Sequence, residues 1–132
     1  MPRRSKSDDL LDFEISFYEK ILRAYPEFVD VLIPLGEAYT RRGLHARGLE
    51  IDLRLTQLRA GDPLVWYNLA CSYSLLTRLD DSLKALRRSF ELGYRDVTHL
   101  QQDPDLANLR QSPQYRRFLE SLAAQAASPP PR

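Results

Sequence analysis

Leu32-Ile33-Pro34-Leu35-Gly36-Glu37-Ala38-Tyr39 and Trp66-Tyr67-Asn68-Leu69-Ala70-Cys71-Ser72-Tyr73 begin thirty-four residues apart and share one pattern. A large apolar residue is followed, at matching places, by Leu, a small residue and Tyr. A fixed period of this length marks stacked helical hairpins, because each unit is too small to bury its apolar face alone and closes it against its neighbours. Such stacks present binding surfaces, so the pattern bears on function as well as on fold.

Helical spacing continues on both sides of the two copies. Upstream, Leu10, Phe13, Phe17 and Ile21, flanked by Leu11, Tyr18 and Leu22, predict an apolar helix face, with Ser7 as N-cap, Asp8 and Asp9 at the positive end and Pro26 closing it. Further helices are predicted over about 30–42, 45–59, 63–77 and 80–92. Gly43, the turn Gly61-Asp62-Pro63 and Gly93 punctuate them. Pro34 lies near the start of the second helix, where a missing N–H costs little. A short helix is predicted over 95–102, a capped turn at Asp103-Pro104-Asp105-Leu106, and a last helix from Ser112-Pro113 to about Ala126. No segment alternates as a strand would.

The chain of 132 residues is read as one domain. Residues 1–7 are expected to be a disordered basic leader, residues 8–126 a single helical domain, and residues 127–132 a disordered Pro-rich tail. A net charge of +1 with acids and bases intermingled argues against nucleic-acid and membrane-surface partners. One cysteine, Cys71, excludes an intramolecular disulfide, and with two histidines the chain falls short of a structural zinc site, so no metal or cofactor is expected. Asp8 and Asp9 stand where the apolar core of a signal peptide would follow the basic leader, and no stretch is long enough to span a membrane. The expected location is the cytoplasm.

The hairpins resemble the tetratricopeptide repeat. In the second copy Trp66, Leu69, Ala70 and Tyr73 match the family's first helix, and Ser82, Leu86 and Ser89 take its later small, bulky and small places. In the first copy Leu32, Leu35, Gly36 and Tyr39 match, with Gly48 as the small residue of the following helix. Asp52 departs from the pattern by standing where a bulky apolar side chain belongs; Arg41, Arg42 or Tyr39 are its expected partners, or the helix is rotated. Residues 10–26 resemble the second half of an earlier repeat, and Leu92-Gly93-Tyr94 through Ser112-Pro113-Gln114-Tyr115 resemble the ending that caps many bacterial arrays of this type. The resemblance implies an all-α, right-handed stack of antiparallel hairpins, a TPR-like α-solenoid. It consists of a half repeat (10–26), repeats at about 29–62 and 63–96, and a capping segment (97–126) whose Tyr115, Phe118, Leu119 and Leu122 cover the fifth helix.

The same resemblance places a concave ligand groove on the first helix of each hairpin. It maps onto Ile33, Glu37, Thr40 and Arg41 in the first copy and Tyr67, Asn68, Cys71 and Ser74 in the second. The implied partner is a peptide or helix of another protein, with Tyr67, Asn68 and Arg41 as the expected contacts. Relatives that clamp acidic chaperone tails need Lys and Asn where this chain has Ile33 and Glu37, which disfavours that ligand.

Catalysis is not expected. Cys71 lacks an oxyanion motif, and His45 and His99 are read as lying near helix starts, away from the groove. Asp80-Asp81 and Asp103-Pro104-Asp105 are read as helix caps. Arg87-Arg88 and Arg116-Arg117 are read as solvated faces. The function implied is a non-catalytic scaffold or adaptor. Two alternatives stand beside it: a homo-oligomeric self-assembly module acting through Phe118 and Leu122, and a regulatory subunit that docks an enzyme.

Overall fold

The computed structural model describes residues 5–127 as helices that each pack on the next: α1 (Lys6–Ala24), α2 (Val29–Arg41), α3 (His45–Leu58), α4 (Pro63–Leu75), α5 (Leu79–Glu91), α6 (Val97–Gln102), a 3-10 turn (Pro104–Leu106), α7 (Ala107–Arg110) and α8 (Pro113–Ala127). The result is an all-α stack of antiparallel hairpins, α2–α3 and α4–α5, preceded by a single helix and closed by a capping segment. None of the described helices is long and apolar enough to cross a membrane.

Small residues set the helix spacing within each hairpin. In α4–α5, Ser82 and Ser89 are fully buried, and their hydroxyls donate across the hairpin to the carbonyls of Ala70 and Pro63, both at 2.7 Å. The start of α5 meets the end of α4 and the end of α5 meets its start, which is the antiparallel arrangement. In α2–α3 glycines do this work. A Cβ on Gly36 would meet Ile51 Cγ2 at 3.2 Å and Asp52 Oδ1 at 3.3 Å, and one on Gly48 would meet Thr40 Oγ1 at 3.2 Å. Leu32, Leu35, Leu55 and Leu86 fill the spaces beside these contacts.

The helix ends repeat the thirty-four-residue period. After α2, Gly43 has φ 83° and the N–H of Leu44 reaches the carbonyl of Tyr39 at 2.8 Å. After α4, Thr77 has φ 59° and Arg78 reaches Tyr73 at 2.9 Å. Both are left-handed closures that satisfy the last carbonyls of a helix. Gly93, with φ 115°, closes α5 in the same way through Tyr94 and Ser89.

The first helix departs from its expected start and face. Ser5, not Ser7, is the N-cap, with its Oγ accepting from the N–H of Asp8 at 3.0 Å, so Lys6 and Ser7 are helical instead of belonging to a leader. The cap places Asp8 in the first turn, against the positive helix end. At the other terminus α8 takes in Ala127. The remaining expected disorder, in residues 1–4 and 128–132, lies outside the described residues. Leu11 and Ile15, with Tyr18 and Leu22 partly buried, form the face that packs on α2. Leu10, Phe13 and Phe17 point outward, Phe13 at 72 % exposure. Polar pairs flank the buried face and fix this rotation: Arg42 Nε donates to Asp12 Oδ1 at 2.9 Å, and Tyr39 Oη donates to Glu19 Oε2 at 3.0 Å.

At the far end the cap is tightly tied. Asn108 Nδ2 donates to the carbonyl of Ser74 at 2.9 Å, and the N–H of Leu109 donates to Ser74 Oγ at 3.2 Å. Ser112 Oγ accepts from the N–H of Tyr115 at 3.2 Å and so starts α8. Phe118 packs edge-on against Phe90 of α5 at 5.2 Å.

Thr77 gives a direct test of the hairpin closures. A β-branched residue is strained at positive φ, by roughly 1–2 kcal/mol, and glycine relieves this at some entropic cost in the unfolded chain. Thr77→Gly should stabilise the protein by about 0.5–1 kcal/mol, read as a higher urea midpoint at unchanged m-value; a lower midpoint would contradict the assigned closure.

Candidate functional site

A cavity of about 400 Å³ opens between α2, α4 and the segment that leads from α5 into the cap. Of the eight expected groove residues, Ile33, Glu37, Thr40, Arg41, Tyr67, Asn68 and Cys71 line it. Ser74 does not. It is fully buried beneath α7, where its hydroxyl and carbonyl hold the cap, because the chain folds back across the end of α4.

Helical spacing puts Ile33, Glu37 and Thr40 along one side of α2 and Leu64, Asn68 and Cys71 along the facing side of α4. Not all of these side chains are free to touch a ligand. Thr40 donates to the carbonyl of Gly36 at 3.1 Å, and Arg41 is drawn toward α1 by Glu14 at 3.5 Å. Tyr67, expected as a contact, is only 4 % exposed. Its ring stacks on Tyr94 at 4.6 Å and its hydroxyl donates to Asp103 Oδ2 at 2.7 Å, so it is part of the wall. Ile33, Glu37, Leu64 and Asn68 remain exposed, and the Asn68 amide makes no hydrogen bond within the described residues.

Asp103 organises one end of the cavity. Oδ1 accepts from the N–H of Asp105 at 3.0 Å, which is the expected capping role. Oδ2 gathers Tyr67, the thiol of Cys71 at 3.8 Å and His99 Nε2 at 3.3 Å. His99 thus lies in the cavity wall, contrary to the expectation from sequence. It stands three residues after Asp96, which caps α6, and the path of residues 94–103 across α4 brings its Nε2 to Asp103 at the cavity while the ring stays largely exposed.

These contacts settle the state of Cys71. Burial, then the nearby carboxylates of Asp103, Asp105 and Asp52, push its thiol well above the ordinary cysteine range. A nucleophilic cysteine needs the opposite, a cationic neighbour that favours the thiolate. The imidazole of His99 meets the carboxylate and not the sulfur, which is the wrong order for a Cys–His pair. Cys71, Asp103 and Asp105 also bring a thiol and two carboxylates within 4.8 Å of one another, the grouping among the described residues that is spaced to hold a metal ion. The Asp103 oxygen in that group already serves Tyr67, Cys71 and His99, and hydrogen bonding accounts for the arrangement.

The other end holds the residue that broke the repeat pattern. Asp52 of α3 reaches the cavity between the two hairpins at 7 % exposure. Its partner is Ser72 of α4, whose Oγ donates to Oδ2 at 2.5 Å. The expected partners are taken elsewhere: Arg41 by Glu14, Arg42 by Asp12, Tyr39 by Glu19. Burial raises the Asp52 pKa to about 6, Ser72 opposes the rise and Glu37 adds to it. Burial and the Asp103 charge likewise raise that of Asp105. Sequence alone flags Asp52 as misplaced, but its partner lies in the next repeat and becomes visible only when the hairpins are docked.

No family model matches the chain. Over 65 residues it is 38 % identical to a chloroplastic protein of Arabidopsis thaliana. The match takes in 46 % of this chain and 19 % of that protein, so the chain spans a small part of the relative's length.

Asp52 makes a prediction with a definite sign. Its folded pKa of about 6 lies above the ordinary value of 3.8, so the folded state binds the extra proton and stability falls as pH rises from about 4 to above 6. The loss is on the order of 3 kcal/mol when complete. Asp52→Asn keeps an oxygen for Ser72 and removes the charge. It should therefore stabilise the protein by about 1–3 kcal/mol at pH 8 and leave it unchanged near pH 4. Equal effects at both pH values in urea titrations would rule out the ionisation argument.

Proposed function

We propose that the chain is a non-catalytic binding module of the tetratricopeptide type. It holds an extended peptide or a helix of another protein in the cavity between α2 and α4. The observation that carries this reading is Asn68, an exposed amide without an internal hydrogen bond among the described residues, in a cavity whose walls are fixed by packing and by the Asp103 network. A carboxamide offers a donor and an acceptor together, the pair that a peptide backbone requires. Ile33 and Leu64 add apolar contact at the same opening. Because Tyr67, Tyr94 and Asp103 are already ordered, the ligand alone bears most of the ordering cost. The protonated state of Cys71 argues against hydrolytic or transfer chemistry at this place. The lone thiol fits a reducing compartment, and the cytoplasm is the location this reading assigns.

The test compares wild type with an Asn68→Ala, Ile33→Ala double variant in pull-downs from lysate, read by mass spectrometry. Both replaced side chains are exposed, so thermal stability should be unchanged. A partner held by wild type should fall at least tenfold in the variant. Equal recovery would move the binding surface away from the groove.

A second reading, self-assembly, is favoured by the exposed stripe of Leu10, Phe13 and Phe17 on α1. Of the C-terminal pair expected for this role, Phe118 is buried on Phe90 with the Arg87 guanidinium over its ring, while Leu122 is partly buried. If the protein self-associates, sedimentation should show a concentration-dependent mass that Phe13→Glu, Phe17→Glu abolishes and Asn68→Ala does not. A constant monomer mass would dispose of this reading.

A further inference from the structure

The charges around the cavity do not balance. Glu37, Asp52, Asp103 and Asp105 line it, each from a different part of the fold: α2, α3, the residue after α6, and the 3-10 turn. Arg41, the guanidinium among the lining residues, is engaged by Glu14 of α1. Among the described residues no Lys or Arg lies within ion-pair distance of Glu37, Asp52 or Asp105. The imidazoles nearby are His99, which stands against Asp103, and His45, whose field reaches Asp105.

Asp52 gives a separate indication of what is missing. Its side chain is more than nine-tenths buried and faces the cavity. Ser72 satisfies Oδ2, while Oδ1, which no donor among the described residues reaches, is open to the cavity and not sealed from water. A buried carboxylate normally has its oxygens satisfied by donors or by an ion. Water can supply that donor, and a cationic ligand would in addition offset the negative charge of the lining. Burial and then the carboxylates of Asp103, Asp105 and Asp52 raise the pKa of the Cys71 thiol, which lies in the same wall.

We propose that the groove recognises a peptide through one basic side chain, Lys or Arg, inserted toward Asp52 and Glu37 on one side and Asp105 on the other. The inference rests on the peptide-binding reading and adds the chemistry of the ligand. Asn68 holds the peptide backbone, while Ile33 and Leu64 cover the aliphatic stem of the inserted side chain. Attraction between a guanidinium or ammonium and carboxylates in a partly enclosed site exceeds that at an open surface, because less water screens it. Acidic peptides are repelled by the same charges.

The test uses the full chain, fluorescently labelled, on an array of random decapeptides, followed by anisotropy titration of the tightest binder. Lys or Arg should be enriched at one position. Replacing it by acetyl-lysine or citrulline, which keep the shape and remove the charge, should weaken binding at least tenfold. A Glu37→Gln, Asp52→Asn, Asp105→Asn variant, confirmed as folded by circular dichroism, should bind the charged and neutral peptides within twofold of each other. Peptides that lose binding with Asn68→Ala but show no basic preference would overturn the charge inference and leave the groove reading standing. A wild-type chain that captures no peptide at all would overturn both.

Discussion

Close approach of paired helices at small side chains governs this fold. Ser82 and Ser89 let α5 sit against α4 near enough for their hydroxyls to reach α4 carbonyls, and Gly36 and Gly48 bring α2 and α3 together in the same manner. Larger residues at these positions would push the pairs apart and open voids beside Leu35, Leu55 and Leu86. The α2–α3 spacing also bears on the distance between α2 and α4, since α3 packs on both. The cavity width therefore depends on the close approach of α2 and α3 at Gly36 and Gly48. Gly36 couples the two most directly: it is the contact that admits α3 and the place where Asp52 reaches the cavity.

A buried carboxyl at the junction between repeats carries a cost that an apolar side chain would avoid. An apolar side chain at position 52 would need no hydrogen-bond partner and carry no charge. The chain instead keeps an acid whose proton is held up to about pH 6 and whose one donor comes from the neighbouring repeat. The link between Asp52 and Ser72 specifies how the two hairpins dock, as buried polar pairs do in some proteins. It also sets a charge in the cavity floor. These two roles differ in what they require: docking needs only the hydrogen bond, which a neutral amide would supply, whereas recognition of a cation needs the carboxylate. The ionisation and the hydrogen bond can thus be separated by one isosteric change.

Much of the architecture was legible because helix ends and periodicity are local properties. Gly43, Pro63, Gly93 and Ser112-Pro113 placed the boundaries of α2, α4, α5 and α8 to within about two residues. The rotation of α1 was not legible. Leu10-Leu11, Phe13 and Phe17-Tyr18 offer two overlapping apolar faces, and the choice between them is made by Arg42 and Tyr39 at the end of the next helix, which find Asp12 and Glu19. Of the eight residues that the repeat resemblance put forward, seven line the cavity. The eighth, Ser74, and the unexpected His99 both depend on the route of the cap across α4, which has no repeat period to announce it. Exposure was the hardest property to read. Tyr67 has the right register for a contact, yet stacking on Tyr94 and its bond to Asp103 turn it into wall.

The two ends of the stack are unequal, and the inequality follows from the same packing logic. A hairpin array leaves an apolar face at each end unless something covers it. At the C-terminal end the cover is tied by several contacts: Arg110 reaches the carbonyls of Leu100 and Asp103, Ser74 is locked under α7, and Phe118 packs on Phe90. At the other end α1 covers α2 but turns Leu10, Phe13 and Phe17 outward, where a paired helix would sit in an interior repeat. Exposed phenylalanines on one helical stripe are costly in water, on the order of 1–2 kcal/mol each relative to burial. That cost falls on the edge of the molecule and not on the cavity, so it leaves the groove unstrained. A partner at the groove and a contact at the α1 stripe would act on separate surfaces, joined through the Arg41–Glu14 and Arg42–Asp12 pairs that link α1 to the end of α2. Arg41 is the residue common to both, since it lines the cavity and pairs with Glu14 of α1.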